Sequence, residues 1–417
     1  METAAAANQE QKPRCAVGLD IGSASVKCIL ASLDNLNNPQ VIASASRPNR
    51  GMRKGNIVDI TMVAKAVDAV LGDIEGLTGY NVTEASINVN GAEVSSMITE
   101  GMIATGPSGH IISAEDVNRL REVVLTGKIP PNKQILDFYP LEYTIDGQGG
   151  IRDPRGMIGS RLEVKMSAIF SMSQNLATLN RAMELVNVSV LDIVPSSVAA
   201  SRAVLDDRQV ENGVVMIDFG AATTGLAIFE EGELRFTSVV PLGSNHITND
   251  LAMGLTITPD VAEIIKCEKL GNSLSDNDGE IIVDHNGREY IFGREEVNEI
   301  VDARLEEIFD AVRDELKKAG YDRKLPEGAV LVGGGAKLGI LRDYVEKKLE
   351  MVVKTGSLKD ISSVDDLTSK LEFSAAVGLM LESLKHKPAR DPSGGASHSK
   401  KSGSSFGFIK KFIGKFK

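Results

Sequence analysis

The sequence predicts an α/β protein built on an internal repeat, and three glycine-containing segments support that prediction. Two of them resemble each other, CAVGLDIGSASVKCIL (Cys15–Leu30) and GVVMIDFGAATTGLAIF (Gly213–Phe229). Each places an Asp, one apolar residue and a Gly between two apolar runs, which is typical of a β-hairpin with buried strands. The third, GAVLVGGGAKLGILRDYVEKKLE (Gly328–Glu350), predicts a strand, three glycines and then a helix.

The turns of the two hairpins predict a phosphate-binding site. Gly22 and Gly220 leave room for backbone close to an anion. Asp20 and Asp218 each stand at a strand end, where a carboxylate can hold a hydrated Mg²⁺. Hydroxyl and N–H donors stand in both turns: Ser23, Ser25, Thr223 and Thr224. One such hairpin alone is more typical of an ordinary turn, but the matched pair favours phosphate binding.

The third segment indicates a nucleotide contact of another kind. Gly333, Gly334 and Gly335 would let a base or sugar lie against bare backbone, with helix N–H groups beyond. Leu338 occupies the last glycine position of G-x-G-x-x-G, and the chain has no G-x-x-x-x-G-K-[ST]. The Rossmann and P-loop motifs are therefore excluded. An ordinary strand-to-helix turn is the alternative.

A fourth segment, PDVAEIIKCEKLGN (Pro259–Asn272), predicts a helix that carries Glu263 and Lys266 on one face. Taken alone, this pair is typical of a solvated ion pair. Beside the other three segments it becomes a candidate ligand contact.

Length and charge limit the possible classes of protein. A chain of 417 residues predicts two to four domains. The net charge is −11, but the residues from Lys385 onward hold nine Lys or Arg and one acid, so the rest of the chain carries −19. Such an acidic body argues against nucleic-acid binding. Cys15, Cys28 and Cys267 have neither zinc nor disulfide spacing. No signal peptide or membrane-spanning run is evident, so we expect reduced thiols and a cytoplasmic body.

The end of the chain predicts a tether. Residues 385–405, KHKPARDPSGGASHSKKSGSS, predict a flexible linker. On a helix, residues 406–417 place six apolar side chains on one half-circle: Phe406, Phe408, Ile409, Phe412, Ile413 and Phe416. The other half holds Lys410, Lys411, Lys415 and Lys417, with two glycines. This pattern is typical of a helix in the membrane interface with its lysines among anionic headgroups. Packing on the body or on a partner is the alternative.

The order of these elements resembles the actin, Hsp70 and sugar-kinase superfamily over about residues 15–384. Four segments carry a closer resemblance: KGNIVDI (Lys54–Ile60), the D-G-x-x-G-I-x-D-P-x-G-M-x-G-x-R-L-E pattern of Asp146–Glu163, PLGSNHITNDLAMGL (Pro241–Leu255) and EFSAAVGLMLESL (Glu372–Leu384). In these segments the sequence is similar to the FtsA family of bacterial cell division proteins.

The resemblance implies an actin-like two-lobed ATPase fold with an inserted subdomain and a C-terminal amphipathic helix. Residues 1–14 would be a disordered N-terminus. The implied units are a first lobe at 15–92 plus 172–208, the insertion at 93–171, a second lobe at 209–244 plus 326–384, a small subdomain at 245–325, the linker and the terminal helix.

The resemblance also implies an ATP and Mg²⁺ site between the lobes. The phosphates and the metal would be faced from the first lobe by Asp20, Gly22, Ser23 and Lys27. The second lobe would contribute Asp218, Gly220, Thr223 and Thr224. The ribose and base would be met by Glu263, Lys266, Gly333, Gly334, Gly335 and Lys337. Asp20 and Asp218 would hold Mg²⁺ through water.

Two departures from the family pattern affect the expected chemistry. Ala221 and Ala222 follow Gly220 where more glycine is usual, and because alanine resists positive φ we expect an altered phosphate grip. Superfamily members that hydrolyse ATP often offer a Glu or Gln between the hairpins, whereas Ser189–Ser201 offers only Asp192 and serines. Because hydrolysis needs an oriented water, we expect ATP binding with slow or absent turnover.

The function implied is that of a cell division protein that polymerises on the cytoplasmic face of the bacterial membrane at the division site. The implied partners are the C-terminal peptide of the tubulin-like GTPase FtsZ, further copies of the chain, anionic lipids and later division proteins. A pilus-assembly adaptor of the same fold is the first alternative, and a metabolite kinase is the second.

Overall fold

The computed structural model describes residues 14–34, 38–107, 109–126, 129–270, 279–359, 362–363 and 370–386. Within these ranges there are ten α-helices: α1 Ile60–Thr78, α2 Ala114–Leu125, α3 Ser173–Leu185, α4 Ser196–Val204, α5 Asp207–Asn212, α6 Ser244–Gly254, α7 Pro259–Ile264, α8 Arg294–Lys318, α9 Leu341–Leu349 and α10 Ser374–Ser383. A π-helix covers Ile265–Lys269, and 3₁₀ turns cover Gly334–Lys337 and Leu371–Phe373.

Local sequence explains where the longer helices begin and end. Asp59 caps α1 by accepting hydrogen bonds from the main-chain N–H groups of Thr61 and Met62, and Gly79 ends the helix at φ 70°. Ser113 and Asp116 form a capping box at the start of α2. These caps satisfy main-chain groups that the helix itself leaves unpaired.

Nineteen strands are described, and most of them belong to two sheets. In chain order they are β1 Arg14–Ile21, β2 Ser25–Leu33, β3 Pro39–Pro48, β4 Met52–Arg53, β5 Asn56–Ile57, β6 Glu84–Val89, β7 Ser95–Ala104, β8 Lys133–Ile145, β9 Gln148–Ile151, β10 Arg161–Met172, β11 Ser189–Pro195, β12 Val214–Phe219, β13 Thr224–Glu230, β14 Glu233–Val240, β15 Glu280–His285, β16 Arg288–Gly293, β17 Ala329–Val332, β18 Val353–Thr355 and β19 Ser362–Ser363.

The two large sheets share one topology, which confirms the predicted α/β class and the internal repeat. The first sheet has the order β11-β6-β1-β2-β3-β19, and the second begins β18-β17-β12-β13-β14. In both, an antiparallel meander of three strands continues into parallel strands on the side of its first strand. The predicted hairpins are β1-β2 and β12-β13, and the sheets place them at corresponding positions.

The segment predicted as an insertion extends the second sheet. Strands β7, β10, β8 and β9 continue it beyond β14 in antiparallel order, and α2 packs against β7. A separate apolar cluster that includes Ile112, Leu120 and Leu162 lies beneath α2. This segment therefore has a small core of its own, although the limits of the domains stay a prediction.

Helix α10 ties the end of the folded chain to the first sheet. It packs on β1 and α4 with little space between the backbones. A Cβ atom on Gly18 of β1 would lie 2.0 Å from the carbonyl oxygen of Ala376, and one on Gly378 would lie 1.7 Å from that of Ala199. Both positions require glycine because no side-chain atom fits there. None of the described helices is both long and apolar enough to cross a bilayer.

Candidate functional site

The turns of the two hairpins have the same geometry. The N–H of Gly22 donates to the carbonyl of Ser25 over 3.1 Å, and the N–H of Gly220 donates to that of Thr223 over 3.0 Å. A Cβ atom on Gly22 would lie 2.9 Å from the carbonyl oxygen of Ser25, and one on Gly220 would lie 2.9 Å from the carbonyl oxygen of Thr223. The repeat seen in the sequence is therefore a repeat of turn structure. A side chain is excluded at the same point in each turn.

Each turn is stabilised by a further hydrogen bond, which is donated to the main-chain carbonyl of its glycine. The side-chain amide of Asn49 donates to the carbonyl of Gly22 over 2.9 Å. At the second turn, the N–H of Ser244, the first residue of α6, donates to the carbonyl of Gly220 over 2.9 Å. Both turns are thus fixed before any ligand arrives, which lowers the entropic cost of binding.

The expectation that Ala221 and Ala222 alter the phosphate grip rested on a need for positive φ in the turn, and this reason is wrong. Ala221 and Ala222 do not adopt positive φ, and neither do Gly22 and Gly220. Alanine is therefore accommodated in the second turn without backbone strain. The requirement for glycine at Gly22 and Gly220 comes from the close carbonyl, not from the sign of φ.

Two buried carboxylates converge on the cleft from opposite lobes. Asp20 lies near the end of β1 and Asp218 near the end of β12, and both are buried. Burial, followed by the negative charge of Asp20, raises the pKa of Asp218 to about 7, while Lys27 acts in the opposite direction. Two acids held together in a poorly solvated place are stabilised by a cation or by a proton.

Asp20 is placed by a network that the sequence analysis missed. Lys27 Nζ donates to its Oδ2 over 3.1 Å, and Asn88 Nδ2 donates to its Oδ1 over 2.6 Å. Asn88 also donates to Ser196 Oγ over 2.8 Å and accepts from the N–H of Ile21 over 2.6 Å. The signal was present in the sequence, because SINVNG places Asn88 inside an otherwise apolar run and Asn90 directly after it.

The glycine-rich segment packs directly against Asp218. Gly333 has φ 89°, and a Cβ atom there would lie 2.5 Å from Asp218 Oδ1. The predicted helix does not follow at once, because the 3₁₀ turn Gly334–Lys337 intervenes and α9 begins only at Leu341. Lys337 then pairs with Glu372 over 2.6 Å at the rim of the cleft.

Glu263 and Lys266 form a partly buried pair, not the solvated pair of the alternative. Lys266 is only 6% exposed, and its Nζ donates to Glu263 Oε2 over 2.7 Å and to Thr248 Oγ1 over 2.9 Å. Burial alone would raise the pKa of Glu263, but hydrogen bonds from Lys266 and Thr248 hold it below its ordinary value. The helix predicted over Pro259–Asn272 changes from α to π at Ile265, which lies between the two residues.

Thirteen of the fourteen predicted nucleotide-binding residues line one cleft of about 520 Å³. They are Asp20, Gly22, Ser23, Lys27, Asp218, Gly220, Thr223, Glu263, Lys266, Gly333, Gly334, Gly335 and Lys337. Thr224 does not line it, because this residue is fully buried in β13 and its hydroxyl donates to the carbonyl of Leu242 over 2.8 Å. The volume lies in the range of ordinary small-molecule sites.

The chemistry of the cleft suits a phosphate ligand together with a hydrated cation. Within the described residues, no group of three or more His, Cys, Asp or Glu side chains could enclose a metal ion. A cation held by Asp20 and Asp218 would therefore need further oxygen ligands from water or from a ligand phosphate, as Mg²⁺ commonly has.

Asp192, the one carboxylate of the segment Ser189–Ser201, does not line the cleft. It accepts from Ser86 Oγ over 3.2 Å and lies 2.6 Å from His386 Nε2. This segment thus brings no carboxylate to the cleft. The terminal helix 406–417, and the linker from residue 387 onward, lie outside the described residues.

Comparison of the sequence with known families gives consistent matches. The family model described as "SHS2 domain inserted in FTSA" matches residues 91–170, and the one described as "Cell division protein FtsA" matches residues 215–378. Among curated proteins, cell division protein FtsA of Bacillus subtilis is 31% identical, with 87% of this chain and 82% of that protein covered. The FtsA of Neisseria meningitidis is 30% identical (89% and 90% covered), and that of Pseudomonas aeruginosa is 28% identical (90% of each).

Solved structures share the fold at low sequence identity. A chain of the "PilM-PilN type IV pilus biogenesis complex" aligns with a TM-score of 0.65 and 16% identity, covering 88% of this chain and 98% of that one. "MreB 5 of Spiroplasma citri bound to AMPPNP" aligns with a TM-score of 0.51 and 15% identity, covering 88% and 95%. At such identities the likeness shows the fold alone, and it confirms the predicted actin-like architecture.

Proposed function

Because this chain belongs to the FtsA family of cell division proteins, we propose that it is an ATP-binding, actin-like protein that anchors FtsZ at the division site. In this proposal it polymerises on the cytoplasmic face of the bacterial membrane and recruits later division proteins. The observation that carries the nucleotide part is the cleft itself, where two matched turns and two buried acids meet.

The residues of the cleft fit Mg·ATP. Asp20 and Asp218 would hold the Mg²⁺ ion through its water ligands, and Lys27 would add a positive charge near the phosphates. The cation, when bound, neutralises phosphate charge and offsets both the lost solvation of the Asp218 carboxylate and its repulsion by Asp20. The main-chain N–H groups of the two turns would face the phosphate oxygens. Glu263, Lys266 and the Gly333–Gly335 backbone would contact the nucleoside.

We expect this nucleotide to be hydrolysed slowly or not at all. Asp192, the only acid in the segment Ser189–Ser201, is engaged with Ser86 and His386 outside the cleft, so it cannot orient a water there. A phosphate-release assay with the full chain at saturating ATP should give a rate far below the ~1 s⁻¹ at the low end of ordinary enzymes. Turnover at several per second would contradict this expectation.

The unit at 245–325 is proposed to bind the C-terminal peptide of FtsZ. Among the described residues of this unit, three large apolar side chains are unusually exposed: Met253 at 72%, Ile282 at 50% and Ile291 at 51%. Ile282 and Ile291 face each other as register partners of the β15-β16 hairpin. We propose that they anchor the peptide, since a few apolar anchors carry most of the free energy of such an interface.

Replacing these three residues with serine should weaken binding of a labelled FtsZ peptide by about tenfold, measured by fluorescence anisotropy. The loss reflects apolar area that no longer leaves water. The matched control is Leu77→Ser, an equally exposed apolar residue at the end of α1 in the first lobe. Unchanged affinity of the triple variant, or an equal loss in the control, would count against a peptide site on this unit.

A further inference from the structure

A side-chain hydrogen bond crosses the cleft between the two lobes. Asn90, which follows β6 of the first sheet, donates from Nδ2 to Oγ1 of Thr223 in the second turn over 2.7 Å. Both residues line the cleft, and Thr223 is only 2% exposed. The backbone of Gly55 packs against the carbonyl of Asn90, where a Cβ atom would lie 1.9 Å away. The backbone of Asn90 is therefore restrained by its packing against Gly55.

Thr223 carries the hydroxyl that the second turn has available for a ligand. Ala221 and Ala222 have none, and the hydroxyl of Thr224 is committed to the carbonyl of Leu242. The main-chain carbonyl of Thr223 is also occupied, since it accepts the N–H of Gly220. The direction of the hydroxyl proton of Thr223 therefore decides what this turn offers through a side chain.

The bond from Asn90 sets that direction. An amide N–H can only donate, so the oxygen of Thr223 is the acceptor and its own proton must point elsewhere. Within the described residues, this proton has no acceptor. It is thus free to be donated to an anion in the cleft.

The other end of the Asn90 amide supports a functional role. Its Oδ1 is buried and lacks a hydrogen-bond partner in the described structure. A buried carbonyl without a partner costs free energy, so an asparagine used only for packing would be a poor choice here.

We propose that Asn90 is a positioning residue that makes the Thr223 hydroxyl a hydrogen-bond donor to a phosphate oxygen of the nucleotide. The inference rests on the proposed function of this cleft. Because Asn90 and Thr223 belong to different lobes, phosphate binding and the contact between the lobes strengthen each other. A hydrogen bond from an oriented hydroxyl to a charged oxygen is among the stronger kinds.

The test is a set of calorimetric titrations of the full chain with Mg·ATP and with adenosine. Asn90→Ala and Thr223→Val should each weaken ATP binding by about tenfold, as expected for one hydrogen bond to a charged group. The double variant should lose no more than Thr223→Val alone, since Asn90 acts through that hydroxyl. Thr223→Ser should keep the affinity of the parent, and adenosine, which lacks phosphate, should bind all variants equally.

A second variant keeps the shape of the side chain. Asn90→Asp presents a carboxylate that accepts the Thr223 proton and also repels phosphate, so it should lose more affinity than Asn90→Ala. Part of that loss should disappear in a Thr223→Val background, where no proton remains to be redirected. Additive effects of Asn90→Ala and Thr223→Val, or an equal loss of adenosine and ATP binding, would overturn the inference. Absence of ATP binding in the parent would instead overturn the proposed function.

Discussion

Replacing Asp218 with asparagine should weaken Mg·ATP binding by about a hundredfold or more, because a buried charged partner of the cation is lost. The same change should raise the melting temperature of the nucleotide-free protein at pH 8. In that state, Asp218 is a buried carboxylate that faces the charge of Asp20 without a cation. Calorimetric titration and thermal unfolding measure the two effects on one preparation.

The gain in stability should depend on pH with a definite sign. The folded-state pKa of Asp218 is raised to about 7, whereas an unfolded aspartate titrates near about 3.9. The ionised carboxyl therefore destabilises the fold fully above pH ~7, and this penalty fades as the pH falls toward ~4. The advantage of Asp218→Asn in melting temperature should shrink over the same window.

The matched control for this variant is Asp73→Asn. Asp73 lies on α1 and pairs with Arg47 through hydrogen bonds that hold its pKa below the ordinary value. It does not line the cleft, so its removal should leave ATP affinity unchanged. If Asp218→Asn binds Mg·ATP as well as the parent does, the assignment of the cleft as a nucleotide site is wrong.

The second large effect is expected at the end of the chain. Changing both Phe412 and Ile413 to Glu should release the full-length protein from anionic vesicles and leave ATP binding intact. The change places two charges in the apolar half-circle, and these charges are also repelled by acidic lipid. Vesicle flotation measures the outcome directly.

The lysines of this segment provide a contrasting variant. Replacing Lys410, Lys411, Lys415 and Lys417 by Gln removes headgroup attraction of about 1 kcal/mol each, so binding should fall on anionic vesicles and change little on neutral ones. High salt should have the same effect as this variant, because salt screens the attraction between lysines and anionic headgroups but does not weaken the burial of the phenylalanine rings. If the double Glu variant still floats with vesicles, the tail is a partner-binding or self-packing helix.

The sequence predicted the parts of the site that depend on local pattern. An Asp, one apolar residue and a Gly between two apolar runs define a hairpin by themselves, so Asp20 and Asp218 could be placed at strand ends. The likeness of the two turns extends to the same hydrogen bond in each. Lobe organisation and the nucleoside contacts came from the family resemblance, not from the pattern alone.

The remaining features depend on contacts between distant segments. The hydroxyl of Thr224 donates a hydrogen bond to the carbonyl of Leu242, eighteen residues away, and no local pattern predicts this. Asn88 and Asn90 reach the cleft only because β6 lies beside β1 in the sheet. The change from α to π at Ile265 likewise has no signal in the predicted helical pattern.

In the function that we propose, this chain joins FtsZ to lipid while it holds ATP. The most direct measurement is flotation of a labelled FtsZ C-terminal peptide with anionic vesicles, in the presence of the full chain and Mg·ATP. We expect the peptide to float with the parent and to remain at the bottom with the Phe412→Glu, Ile413→Glu variant. If the parent chain floats while the peptide stays behind, the chain binds membrane without bridging to FtsZ, and the claim is contradicted.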